Sequence, residues 1–171
     1  PIAEREKYSV PMDLEMTLLR LQAENSALGS INWFAVHPTS MTYNNKLISS
    51  DHKGYASITW ENSAKNQEAL DENFIAAFAQ STPGDVTPNL NLDNTGPGEN
   101  DIDSTQIIGQ LQLDAAQSLF DGATEKVIGP IESRQMYVDM SNLQVRDEFT
   151  GAGEQVTCPS AFGYAFAAGS T

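Results

Sequence analysis

Two short apolar runs constrain this chain more than anything else in it: INWFAV at residues 31–36 and FIAAFA at residues 74–79. Both are aromatic and too short for a globular helix, which suits buried strands. Each runs straight into a polar turn, His37-Pro38-Thr39-Ser40 after the first and Ser81-Thr82-Pro83-Gly84-Asp85 after the second. Proline cannot donate to a sheet ladder, so the first strand must stop near His37. The second turn is built of the usual turn formers. Between the runs, Ser50-Asp51 reads as the N-cap of a helix passing through Tyr55, Ile58 and Trp60 to about Lys65. Strand, helix, strand is the crossover that two parallel neighbours require. The carboxyl ends of such strands emerge on one edge, where the sites of open α/β sheets gather.

The rest of the chain extends this pattern. Residues 14–21 read LEMTLLRL, with Leu14, Met16 and Leu18 on one parity, as in a strand. Residues 23–30 are polar and reach Leu28-Gly29, a turn signal. Residues 90–101 form a polar loop whose carboxylates lack the spacing of a calcium-binding EF-hand. Asp103 with Gln106 resembles a capping box. Ile107, Ile108, Leu111, Ala115 and Leu119 then repeat at helical spacing up to Gly122. Residues 127–145 read as one or two strands, with Met136, Val138 and Met140 on one face. Residues 162–170, FGYAFAAGS, hold small residues that permit close backbone approach. The expected class is α/β or α+β, a mixed sheet with flanking helices.

Composition bears mainly on partners. The chain has 171 residues, 9 basic and 23 acidic, for a formal net charge of −14. Nucleic-acid binding needs phosphate-facing cations and is set aside, as is docking of the whole surface on anionic lipid. No apolar run reaches the ~18 residues of a membrane span. The chain opens at Pro1 with no leader-like segment, as expected of a mature product or a piece of a longer protein. Cys158 is the single cysteine, so neither an internal disulfide nor a C-x-x-C metal pair is available. A lone thiol is either buried or seeks a partner.

Two positions can carry chemistry. His37 stands where a buried strand gives way to a loop, and imidazole there can ligate a metal, act as a base or serve as a hydrogen-bonded structural group. A catalytic zinc site needs about three protein ligands. The only other histidine is His52, in the first turn of the expected helix. Thr87, in Gly84-Asp85-Val86-Thr87-Pro88-Asn89, occupies the turn after the second strand. Its hydroxyl can attack an acyl carbon or hydrogen-bond a substrate, and as a bare pattern the segment is also an ordinary turn.

Five stretches, in order and covering nearly the whole chain, resemble the neutral (alkaline) ceramidase family: NWFAVHPTSM at 32–41, LISSDHKGYAS at 47–57, FIAAFAQSTPGDVTPN at 74–89, DSTQIIG at 103–109 and GYAFAAGST at 163–171. The resemblance implies that residues 1–171 are part of a larger catalytic domain. It implies a zinc amidohydrolase, secreted or membrane-associated, that cleaves the N-acyl bond of ceramide to sphingosine and a fatty acid. On the family's motif His37 corresponds to a zinc ligand, with a second His, a Glu and a Tyr expected outside this chain. Thr87 corresponds to the family's active-site serine, a departure that keeps the hydroxyl but stiffens χ1. His52 stands where the family usually has Asn and is not counted as a ligand. Zinc can polarise the amide carbonyl and acidify a bound water to a pKa of roughly 7. That favours water as the nucleophile, with Thr87 orienting substrate or steadying the oxyanion. The small-residue segment FAAGS either lines a lipid pocket or forms a structural strand. Competing readings are a related zinc amidase or esterase on other N-acyl lipids, and a non-catalytic lipid-binding or structural fragment.

Overall fold

The computed structural model describes residues 9–10, 12–84, 86–93 and 95–163. The chain divides into two units, Pro1–Glu125 and Lys126–Thr171. In the first, β1 (Thr17–Gln22), β2 (Ala27–Phe34) and β3 (Leu70–Gln80) form one sheet in that order. β1 runs antiparallel to β2, and β3 runs parallel to it, with Ser30 opposite Ala76 and Phe34 opposite Gln80. Helix α1 (Asp51–Ala64) is the crossover between the parallel pair, and α2 (Asp101–Gly122) follows β3. The α/β class and the mixed sheet therefore hold.

Strand alternation decides which face takes the helices. Phe74 and Ala76 are buried, whereas Ile75 between them is 59% exposed. FIAAFA is thus a half-buried strand rather than one buried on both faces. Trp60 of α1 sits at the centre of the core, with ring centroids 5.4 Å from Phe74, 5.4 Å from Phe120 and 6.3 Å from Phe78. Phe74 and Phe120 meet edge to face at 5.8 Å. Such aromatic pairs add about 0.5–1.5 kcal/mol each beyond the area they bury. Ala27, Ala56, Ala64, Ala76, Leu113 and Ala116 fill the space around them, with Met16 and Leu18 packed against the edge.

Three local expectations change. Leu28-Gly29 is not a turn, because β2 already begins at Ala27. Gly29 is required for another reason: a Cβ there would lie 2.6 Å from the carbonyl oxygen of Ile75 on the neighbouring strand. The turn is closed earlier, by Ala23 N–H donating to Ser26 O at 2.9 Å. The cap of α2 lies three residues earlier than Asp103/Gln106. The Asn100 side chain accepts from Asp103 N–H at 3.0 Å, and the Asp103 carboxylate accepts from Glu99 N–H at 2.9 Å. Ser50 flanks α1 but makes no side-chain cap bond. Instead Ser49 Oγ accepts from Asp51 N–H, and the Asp51 carboxylate accepts from His52 N–H.

In the second unit, β4 (Gln144–Val145) pairs antiparallel with β5 (Gln155–Val156) around the single-turn α3 (Asp147–Thr150). The strands expected over 127–145 are absent apart from β4. Residues 123–140 form neither helix nor strand, and Met136, Val138 and Met140 stand 81%, 52% and 59% exposed. Alternating apolar residues make a strand only where a partner edge is in reach. Cys158 is exposed, which removes the buried alternative for that thiol. Residues 164–170 of the small-residue segment lie outside the described residues. No helix among the described residues is long and apolar enough to cross a membrane.

Candidate functional site

Because β2 and β3 are parallel, the loops that leave their carboxyl ends share one edge, and hydrogen bonds join them. His37 N–H donates to Val86 O at 3.0 Å, and Ser81 N–H to Phe34 O at 3.4 Å. The His37 ring joins the same turn, with Nε2 3.1 Å from Gly84 O. A carbonyl only accepts, so Nε2 carries a proton, and in the neutral ring Nδ1 is the lone-pair nitrogen. Gly84 has φ of 53° with open space around it, so glycine is needed there for backbone conformation rather than for room. Thr87, exposed, directly follows the Val86 carbonyl that holds His37. Asp85 lies outside the described residues.

The first three residues of α1 grip the strand ends. Asp51 adopts a φ of 55°, a left-handed conformation that Asp tolerates better than most residues. Its carboxylate accepts from Ser40 N–H at 3.0 Å, Ser40 Oγ–H at 2.5 Å and Met41 N–H at 3.1 Å. Since Ser40 spends its proton on Asp51, Thr105 Oγ1–H of α2 donates to Ser40 Oγ at 2.9 Å. Burial raises the Asp51 carboxyl, but the bonds from Ser40, His52 and Met41 outweigh it and hold the group below its ordinary range. His52 is wholly buried. Its Nε2–H donates to His37 O at 2.9 Å, and Gln112 Nε2–H of α2 donates to its Nδ1 at 2.6 Å. Burial lowers the His52 pKa, against the opposing pull of His37 O and Asp51. The ring is therefore neutral, and its 3.8 Å approach to Asp51 is no ion pair. Lys53 Nζ donates to Phe34 O at 3.3 Å and Ala79 O at 3.0 Å, tying the two parallel strands together. Burial pushes Lys53 down to about 8.

The chain matches the model of the neutral/alkaline non-lysosomal ceramidase N-terminal domain over residues 1–171. It belongs to this family. It is 42% identical over 166 residues to the neutral ceramidase of Pseudomonas aeruginosa, covering 96% of this chain and 24% of that protein. Against neutral ceramidase B of Dictyostelium discoideum it is 36% identical over 199 residues, covering 100% of this chain and 28% of the relative. Two solved structures superpose on it: the Pseudomonas aeruginosa neutral ceramidase, with a TM-score of 0.77 at 38% identity, and a ceramidase complexed with C2, with a TM-score of 0.80 at 42% identity. They cover 92% and 94% of this chain, which in turn covers 26% and 25% of theirs. The chain spans about a quarter of the length of the ceramidases it matches.

Within this ceramidase domain, the two positions singled out from sequence, His37 and Thr87, leave adjacent strand ends and are joined through Val86. The donor chemistry at His37 suits a metal. One ring N–H is committed to a carbonyl, the usual way a ligating histidine is oriented, and no hydrogen bond to Nδ1 is made among the described residues. Among those residues no group of three His, Cys, Asp or Glu could hold a metal ion. Sequence reading missed the work of His52, Lys53 and Gln112. His52 and Lys53 could have been noticed as polar groups at the start of a crossover helix, which must lie near the strand ends. Nothing in the sequence tied them to Gln112.

Proposed function

We propose that this chain is the N-terminal part of a ceramidase that hydrolyses the N-acyl bond of ceramide, releasing sphingosine and a fatty acid. The observation that carries the reading is the coupling of His37 to the turn bearing Thr87, in a chain that matches ceramidases from end to end. His37 would hold zinc through Nδ1, with Gly84 O fixing the ring from the other side. Zinc, when bound, would supply Lewis acidity at the scissile carbonyl and an acidified water. Thr87 would donate its hydroxyl to the oxygen on which negative charge develops, worth roughly 10²–10³ in rate for a donor of this kind. With zinc able to supply an acidified water as the nucleophile, the hydroxyl serves better as a hydrogen-bond donor than as the attacking group. The substrate is an insoluble lipid amide, so the enzyme would act at a membrane or micelle surface; the secreted or membrane-associated location rests on the family resemblance.

The test uses the full-length enzyme with ceramide and with N-acyl amino acids as competing substrates. Ceramide hydrolysis that disappears with chelation, returns with zinc and is abolished by His37→Ala is the expected result. Activity confined to N-acyl amino acids, or a His37→Ala enzyme that keeps its zinc, would remove the proposal. With one ligand corner of the ~3 that catalytic zinc needs, residues 1–171 alone should neither hydrolyse ceramide nor bind zinc tightly.

A further inference from the structure

We infer that His52 is a positioning residue for the strand-end site: braced by Gln112, it fixes the main chain of His37 and so the direction in which the His37 ring faces. The tautomer is forced. His37 O can only accept, so the His52 proton lies on Nε2, and Nδ1 must accept from Gln112. The Gln112 amide is therefore held in one orientation, which leaves its Oε1 buried without a hydrogen-bond partner among the described residues. An unpartnered buried amide oxygen is costly, and an apolar pair of the same shape would avoid it. The arrangement makes sense as a means of aiming His52 at one carbonyl.

His52 ties that carbonyl, which also accepts from Thr39 N–H at 2.9 Å within its own turn, to α1, and this completes the hold on His37. Its N–H is taken by Val86 O, and its ring Nε2–H by Gly84 O. With His52 on its oxygen, His37 is gripped at three points from two segments, the 84–86 turn and α1. His52 also stands in the wall between α1 and α2, where it cannot swing: it is wholly buried, and Gly109 lets the neighbouring helix close against its backbone. Asparagine also carries a side-chain N–H and could restore the donor to His37 O. The donor is the property the site needs, and the histidine gains the second bond to Gln112.

The experiment compares His52→Leu and His52→Asn in the full-length enzyme by two readouts. The first is amide hydrogen exchange after chelation, which does not depend on zinc. His52→Leu should speed exchange in peptides over 35–41 and 84–88 by roughly tenfold or more, for local opening of these loops without global unfolding, while peptides over 107–120 keep their protection. His52→Asn should stay near wild type in all of them. The second readout rests on His37 being a zinc ligand: the rate of zinc loss to a chelator should rise about 10–100-fold in His52→Leu, as for other groups that orient a ligand, and recover in His52→Asn. Unchanged exchange at 35–41, or exchange raised equally across 107–120, would overturn the positioning role. Local exchange raised as expected with zinc retention unchanged would uphold it and remove the zinc reading of His37 instead.

Discussion

A Cβ placed on Gly109 would stand 2.8 Å from the main-chain oxygen of His52 and 2.5 Å from Cδ1 of Tyr55. Glycine at 109 lets α2 close against the α1 backbone and the Tyr55 ring at this crossing. The His52 oxygen belongs to the backbone and cannot step aside, so α1 and α2 would have to part. Gly109→Ala should cost about 1–3 kcal/mol through overpacking, although alanine is the better helix former by about 1 kcal/mol. Thermal unfolding of the full-length enzyme reads this. An alanine variant as stable as wild type would mean that the helices separate freely.

Thr87 separates the donor role from the nucleophile role by substitution. Thr87→Ser keeps the hydroxyl and should retain activity on ceramide. Thr87→Val removes it at nearly constant shape and should lower kcat on the order of 10²-fold, the usual loss for one oxyanion donor. Full activity in the valine variant would end the catalytic assignment.

Asp51 joins backbone geometry to charge. Asp51→Ala leaves the N–H groups of Ser40 and Met41 without their acceptor, a loss of about 1–3 kcal/mol for buried donors. Asp51→Asn tolerates the positive φ and should cost less. Because the folded carboxyl lies below its ordinary 3.8, its contribution is complete above that value and is lost as pH falls through the folded one. The stability gap between wild type and Asp51→Asn should thus be flat from about pH 7 to 5 and close only below about pH 4. Denaturant unfolding across that range measures it, and a gap that closes near neutrality would contradict the assignment.

Lys53 should show a slope of the same sign, but in an alkaline window. Its folded value is lowered by burial to about 8, against an ordinary 10.5. Between those values the unfolded chain holds a proton that the folded chain has released, so the lysine's contribution to stability rises with pH across the window. Below it, the cost of burying the charge stands in full. Subtracting the unfolding free energy of Lys53→Met from that of wild type should give a difference that increases from about pH 8 to 10. A flat difference would show that the ammonium stays solvated.

The β2-α1-β3 crossover could be read from the sequence because its signals are local: two apolar runs, two proline-bearing turns and a helix between them. His37 and Thr87 followed, since parallel strands end on one edge. The clamp was not legible. His52 matters because of Gln112, sixty positions away, and periodicity carries no information about which buried polar groups will meet. Gly29 was misread for a similar reason, since its need arises from the Ile75 carbonyl on another strand rather than from its own neighbours. Residues 127–145 show the converse error: Met136, Val138 and Met140 alternate as a strand would, yet alternation does not supply an edge to pair with.

The three-ring cluster also sets an order of events in time. Trp60 and Phe74 meet early in the chain, but Phe120 packs edge to face with each of them, and it lies at the far end of α2. At the usual ~5–20 residues per second of synthesis, about 2–9 seconds separate the emergence of Phe74 from that of Phe120. During that interval the crossover can form while one side of its aromatic centre stays open to water. Phe120 acts as the latch, and the nascent domain is most vulnerable to aggregation, and most visible to chaperones, until it arrives.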